Sequence, residues 1–156
     1  MKYFIFIASL ILFNACNNKS QQCDQTPSIQ GTWQLISSEY HKKDTITSNM
    51  NEGQKMIKII TPTHFAFLLH DLKKGKDSTN VAYMSGGGSY TYLDGKYIEN
   101  LEYCTAREWE GHAFDFELTI NGDTLTQTGV EELEDLGLGA ENMLLIEKYV
   151  RVKSDK

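Results

Sequence analysis

"GGGSYTYLDGKYIENLEY", residues 86–103, sets four of the chain's eight tyrosines around a single Asp-Gly corner. Asp-Gly between alternating arms is a two-residue hairpin signal, because a type I′ turn needs positive φ at both central residues. With Asp94 and Gly95 in the turn, Tyr92 faces Tyr97, Tyr90 faces Glu99, Gly88 faces Leu101 and Gly86 faces Tyr103. Strand side chains alternate between faces. Tyr90, Tyr92, Tyr97, Glu99, Leu101 and Tyr103 therefore share one face, and Ser89, Thr91, Ile98, Asn100, Glu102 and Cys104 the other. The aromatic face is the apolar-rich one and is expected to point inward. The glycines opposite Leu101 and Tyr103 leave room for large side chains and let the sheet bend.

A second corner, Asn121-Gly122, divides "AFDFELTINGDTLTQTG", residues 113–129, in the same way. It is expected to set Leu118 against Leu125 and Phe116 against Gln127, with Ile120 facing Asp123. Phe114, Phe116, Leu118, Leu125 and Gln127 then look inward, while Asp115, Glu117 and Thr119 look outward.

The remaining segments read as strands as well. "IQGTWQLIS", from Ile29, alternates with Trp33 and Leu35 on one face. A polar loop is expected over residues 41–53. "KMIKIITPTHFAFLLHD" offers two apolar runs around Thr61-Pro62-Thr63, and "MLLIEKYVRVK" supplies a last strand. In the second and last strands both alternations carry apolar residues, so Lys58 and Ile60 compete with Ile57 and Ile59 for the inner face. Glu147, Tyr149 and Arg151 likewise compete with Ile146, Lys148 and Val150. "VEELEDLGLGAEN", residues 130–142, is expected to be a loop with a solvated acidic surface. No segment carries a long helical stripe. Consecutive antiparallel strands with tight turns predict an all-β fold, an up-and-down barrel of eight to ten strands spanning residues 29–153. Closure removes the exposed sheet edges, and a barrel of this size holds either side chains or one small ligand.

Residues 1–15 do not belong to that domain. Lys2 precedes an apolar run from Tyr3 to Phe13, too short to span a bilayer and suited to a secretory signal. Cys16, directly after Ala15, matches the lipobox of bacterial lipoproteins, so Cys16 is expected to carry the acyl chains, palmitate among them. The chain is then expected on a bacterial membrane, the outer one, with the domain in the periplasm or at the cell surface. Residues 16–28 are polar and aperiodic and read as a tether. In an exported protein Cys23 and Cys104 are either a disulfide or two separate thiols.

A formal net charge of −6 with no basic cluster provides no electrostatic grip on a polyphosphate, so nucleic acid is not an expected partner. His64 and His70, six strand residues apart, would stand about 20 Å from each other, and no His-x-His pair occurs; neither metal nor cofactor is expected. "GGGS" lacks the Gly-Lys-Ser/Thr ending of a phosphate loop, and no Gly-x-Ser-x-Gly elbow is present.

"GTW", residues 31–33, on the first strand resembles the Gly-x-Trp motif of the lipocalins, and "YVRVK" sets Arg151 where that family carries the arginine that packs on the tryptophan. Together with the two hairpins, the chain from Ile29 to Lys153 resembles small lipocalin-like domains of uncharacterised bacterial lipoproteins. The resemblance implies an up-and-down barrel closed at one end by Trp33 and Arg151, and a small-molecule ligand inside it.

Tyr90, Tyr92, Tyr97, Glu99, Tyr103, Phe116 and Gln127 are accordingly the expected ligand-binding residues, of a partly polar rather than purely lipidic interior. On this reading Glu99→Gln should weaken ligand capture and barely change folding. Two other readings stay open: a ligandless adaptor acting through its surface, for instance around residues 131–135, and a small hydrolase or isomerase using Glu99.

Overall fold

A computed structural model of the chain describes residues 28–79 and 81–153; the signal segment, Cys16, Cys23 and most of the tether lie outside the described residues. The strands are β1 (Gly31–Lys42), β2 (Thr45–Ser48), β3 (Gln54–Ile60), β4 (His64–Asp71), β5 (Tyr83–Leu93), β6 (Lys96–Cys104), β7 (Ala113–Asn121), β8 (Thr124–Glu131) and β9 (Met143–Arg151), with a 3-10 turn at Arg107–Trp109 between β6 and β7. Strands β3 to β9 pair with their neighbours in chain order. β1 pairs with β3 on one side and β9 on the other, so eight antiparallel strands close into a barrel. The fold class is the one predicted. The ninth strand, β2, falls within the expected 41–53 loop and pairs with Glu39–Lys42, where β1 has run past its pairing with β3.

The Asp94-Gly95 corner forms as expected, with φ of 50° and 86° and Tyr90 opposite Glu99. The second corner differs by one position. Gly122 and Asp123 form the loop, Asn121 pairs with Thr124 and Leu118 with Gln127. The partners expected for each residue move by two, which leaves every side chain on its expected face. Gly122 has φ 59° and takes the first loop position, where a II′ turn wants glycine.

A one-residue irregularity has the opposite consequence. Gly88 pairs with Leu101 but Gly87 pairs with Tyr103, so Glu102 is an extra residue on β6. This bulge reverses the two residues after it. Tyr103, expected inside, is 69% exposed on the outer surface, and Cys104, expected outside, is buried in the core as a free thiol. Cys104 therefore has no disulfide partner among the described residues. Glu102 itself accepts hydrogen bonds from the Ser89 amide and hydroxyl at 2.9 and 2.6 Å. At Gly88 a Cβ would stand 1.9 Å from the Asn100 carbonyl oxygen, so the close approach at the bulge requires glycine.

Chain direction gives the barrel two unlike ends. The short turns at 61–63, 94–95 and 122–123 gather at one end, with the start of β1 and the end of β9. Trp33, fully buried, closes this end. Arg151 is its cross-strand partner, with the guanidinium carbon 4.0 Å from the ring centroid and the two terminal nitrogens donating to the Gln30 and Ser28 carbonyls at 2.8 and 2.7 Å. The Trp33 indole N–H donates to the Ile29 carbonyl at 2.8 Å. The longer segments at 49–53, 72–82, 105–112 and 132–142 gather at the other end. The last of these is more than solvated charge: Leu133 is buried, and Leu136 and Leu138 pack against the core.

Candidate functional site

Above the layer of Trp33, Tyr97, Leu125 and Tyr149, the barrel encloses a cavity of about 560 Å³. A volume of this size falls within the range of small-molecule sites. Met56, Phe67, Leu101, Phe114, Phe116 and Leu145 give its apolar wall. Its mouth lies among Asn49, Val81, Tyr83, Met84, Ala106 and Trp109, with the Trp109 ring stacked on Phe114 at 5.6 Å.

The polar part of the lining comes from five strands and runs from mid-depth at Lys58, Glu99 and Glu147 to Glu131 at the mouth-side end of β8. On β3 the inner face is Lys58 and Ile60, settling the alternation that the sequence left open. Lys58 is 2% exposed. Its ammonium donates to Glu99 on β6 at 2.7 Å and to Gln127 on β8 at 2.8 Å, and stands 5.4 to 5.9 Å from the ring centroids of Tyr149, Phe65 and Tyr97. A buried cation is tolerable only when paired and hydrogen-bonded, and three ring faces add further favourable field. On β9 the inner face is Leu145, Glu147 and Tyr149. Glu147 accepts from Tyr149 at 2.5 Å and from Ser38 at 3.4 Å. On β8, Glu131 accepts from Tyr40 at 2.9 Å. Ser38 and Tyr40 look inward because β1 carries a bulge between Leu35 and Ser37, which turns Ile36 out and reverses the alternation after it.

The cavity thus faces three carboxylates and one ammonium, and no lysine or arginine among the described residues forms an ion pair with Glu131 or Glu147. Burial, reinforced by the Glu147 charge, pushes the Glu131 carboxyl up to about 7 against the pull of the Tyr40 hydrogen bond. Burial likewise raises Glu147, opposed by Lys58 and Tyr149. Tyr149 and Tyr97 are raised well above the ordinary phenol range, each first by burial and then by the neighbouring carboxylate. The Tyr97 hydroxyl is buried beside Glu99, the carboxylate that acts on it.

Of the residues singled out in the sequence, Glu99 and Phe116 line the cavity, and Gln127 and Tyr97 support it from below. Tyr90 is half-buried and packs its ring 5.2 Å from Tyr97, with its hydroxyl on the Thr61 carbonyl near the closed end. Tyr92 shares the inner face but is 37% exposed, past the floor of the barrel. Tyr103 lies on the outside. Sequence reasoning missed Lys58, Glu147, Ser38, Tyr40 and Glu131. Glu131 was the accessible one, since the inward alternation Leu125, Gln127, 129 continues to it.

Set against models of known protein families and against curated proteins, the chain matches none.

Proposed function

We propose that this chain is a lipocalin-like binding protein, lipid-anchored through Cys16, that holds a small, partly polar molecule inside its barrel. The observation that carries the reading is a 560 Å³ cavity with an apolar wall, a mouth at one end and a polar layer at mid-depth. A cavity filled with charged and hydrogen-bonding groups is costly to maintain as a core, and an apolar cavity would serve packing no worse. The Trp33–Arg151 closure agrees with the lipocalin resemblance. The tether would join at the closed end, opposite the mouth, leaving the mouth unobstructed by the anchor.

Glu99 is held by Lys58 at 2.7 Å, which suits a fixed structural charge better than a proton-transfer group.

The test is titration of the purified chain with a neutral fluorescent probe such as N-phenyl-1-naphthylamine, read by quenching of Trp109. Binding to one site is expected. Ala106→Trp, which fills the mouth without entering the closed core, should weaken it at least ~10-fold, the loss of about 1.4 kcal/mol. Equal binding by the variant, with an unchanged unfolding midpoint, would place the probe elsewhere and remove the support for an interior site.

A further inference from the structure

We infer that the ligand is an organic amine, a cationic head on an apolar body, whose ammonium is received between Glu131 and Glu147. The inference rests on the binding reading above and names the class of molecule it would take.

The argument is one of charge and position. Lys58 gives two of its three N–H donors to Glu99 and Gln127, stands among three aromatic rings, and has its charge already matched by Glu99, so it offers little to an anionic ligand. Glu131 and Glu147 both line the cavity and, among the described residues, receive hydrogen bonds only from hydroxyls: Tyr40 for the first, Ser38 and Tyr149 for the second. Each carboxylate keeps lone pairs beyond those contacts. With Glu131 and Glu147 ionised, a carboxylate or phosphate ligand would add a third uncompensated negative charge to this layer. An ammonium would supply the missing positive one and make a hydrogen bond of the stronger, charge-assisted kind. Phe67, Phe114 and Phe116, cross-strand partners of Lys58, Glu99 and Tyr97, and Trp109 at the mouth would cover an apolar body and offer ring faces to a cation.

The charge balance also fixes a pH dependence. Glu131 is faced by Tyr40 from β1, Lys58 from β3, Glu99 from β6 and Glu147 from β9. With its carboxyl near 7 in the free protein, Glu131 carries its proton at pH 5.5 and has largely lost it at pH 8, while an alkylammonium stays charged throughout. Amine affinity should therefore rise with pH over that interval, and binding near its lower end should release protons.

The experiment displaces the neutral probe from the purified chain with octylamine, octan-1-ol and octanoate, matched in apolar length. At pH 8 octylamine is expected to bind at least ~10-fold tighter than octan-1-ol, with octanoate weakest, and the amine's advantage should shrink to roughly threefold or less at pH 5.5. Glu131→Gln and Glu147→Gln should each lower the octylamine affinity more than the octan-1-ol affinity, and so reduce the amine-to-alcohol ratio. Octanoate binding tighter than octan-1-ol, or equal affinity for amine and alcohol, would overturn the amine inference and leave the binding reading standing. A folded protein that binds neither probe nor any of the three would sink both.

Discussion

Replacing Lys58 by methionine is expected to destabilise the barrel by about 3–5 kcal/mol, because it strands a buried carboxylate rather than because it removes a favourable contact. Lys58 and Glu99 have side chains 3% and 9% exposed, 2.7 Å apart. With the ammonium gone, Glu99 must either stay charged among Phe116, Tyr97 and Leu101 or take up a proton, and both are costly. For a domain of this size the loss corresponds to a fall in Tm of roughly 10–20 °C. Urea unfolding of Lys58→Met, Glu99→Leu and the double variant separates the causes. The double variant should recover most of the loss, since an apolar pair of similar volume often replaces a buried ion pair at little cost. A loss under ~1 kcal/mol for Lys58→Met would mean the ammonium reaches water and the pair is not enclosed. The same geometry corrects the expectation that Glu99→Gln is mild. It leaves Lys58 without its counter-charge, so it too is expected to be strongly destabilising.

The second large effect is expected at the closed end. Trp33→Ala should cost about 3–5 kcal/mol from the lost ring and the cavity left behind. Trp33 is fully buried between the barrel floor and the Arg151 guanidinium, so no flexible neighbour is placed to fill the space. Arg151 would lose a cation–π contact worth roughly 0.5–2 kcal/mol, yet keep its hydrogen bonds to Gln30 and Ser28. Arg151→Ala should therefore cost less than Trp33→Ala, and the two losses together should fall short of additive because the residues touch. Chemical unfolding of the three variants checks this. A Trp33→Ala loss below ~2 kcal/mol would show that the closed end does not depend on the ring.

What the sequence could and could not disclose follows from the periods involved. Asp94-Gly95 determined its hairpin residue by residue out to Leu101, because the turn chemistry admits one register. At Asn121-Gly122 the loop was misplaced by one residue, yet Phe116, Leu118 and Gln127 still faced inward, since the resulting two-residue shift respects the pleat. Single-residue bulges are different. Those at Glu102 and Ile36 exchanged Tyr103 for Cys104 and brought in Ser38 and Tyr40, and neither residue type marks a bulge. The three glycines opposite were the one available hint. Lys58 and Glu147 were hidden for another reason: β3 and β9 alternate apolar residues on both faces, and the usual preference for exposed charge points the wrong way. Half of an ion pair, Glu99, was legible without its partner, which is why the site read as more phenolic and less charged than it is.

The account depends on an interior that is there to be occupied. Native mass spectrometry of the protein isolated without denaturation from its source cells, compared with the same sample after denaturation, measures this directly. The account predicts one small molecule bound per chain, lost on unfolding and reduced by Ala106→Trp, with a protonatable nitrogen in its composition. A native mass equal to that of the denatured chain in every preparation, together with no uptake of added amine, alcohol or neutral probe, would contradict it.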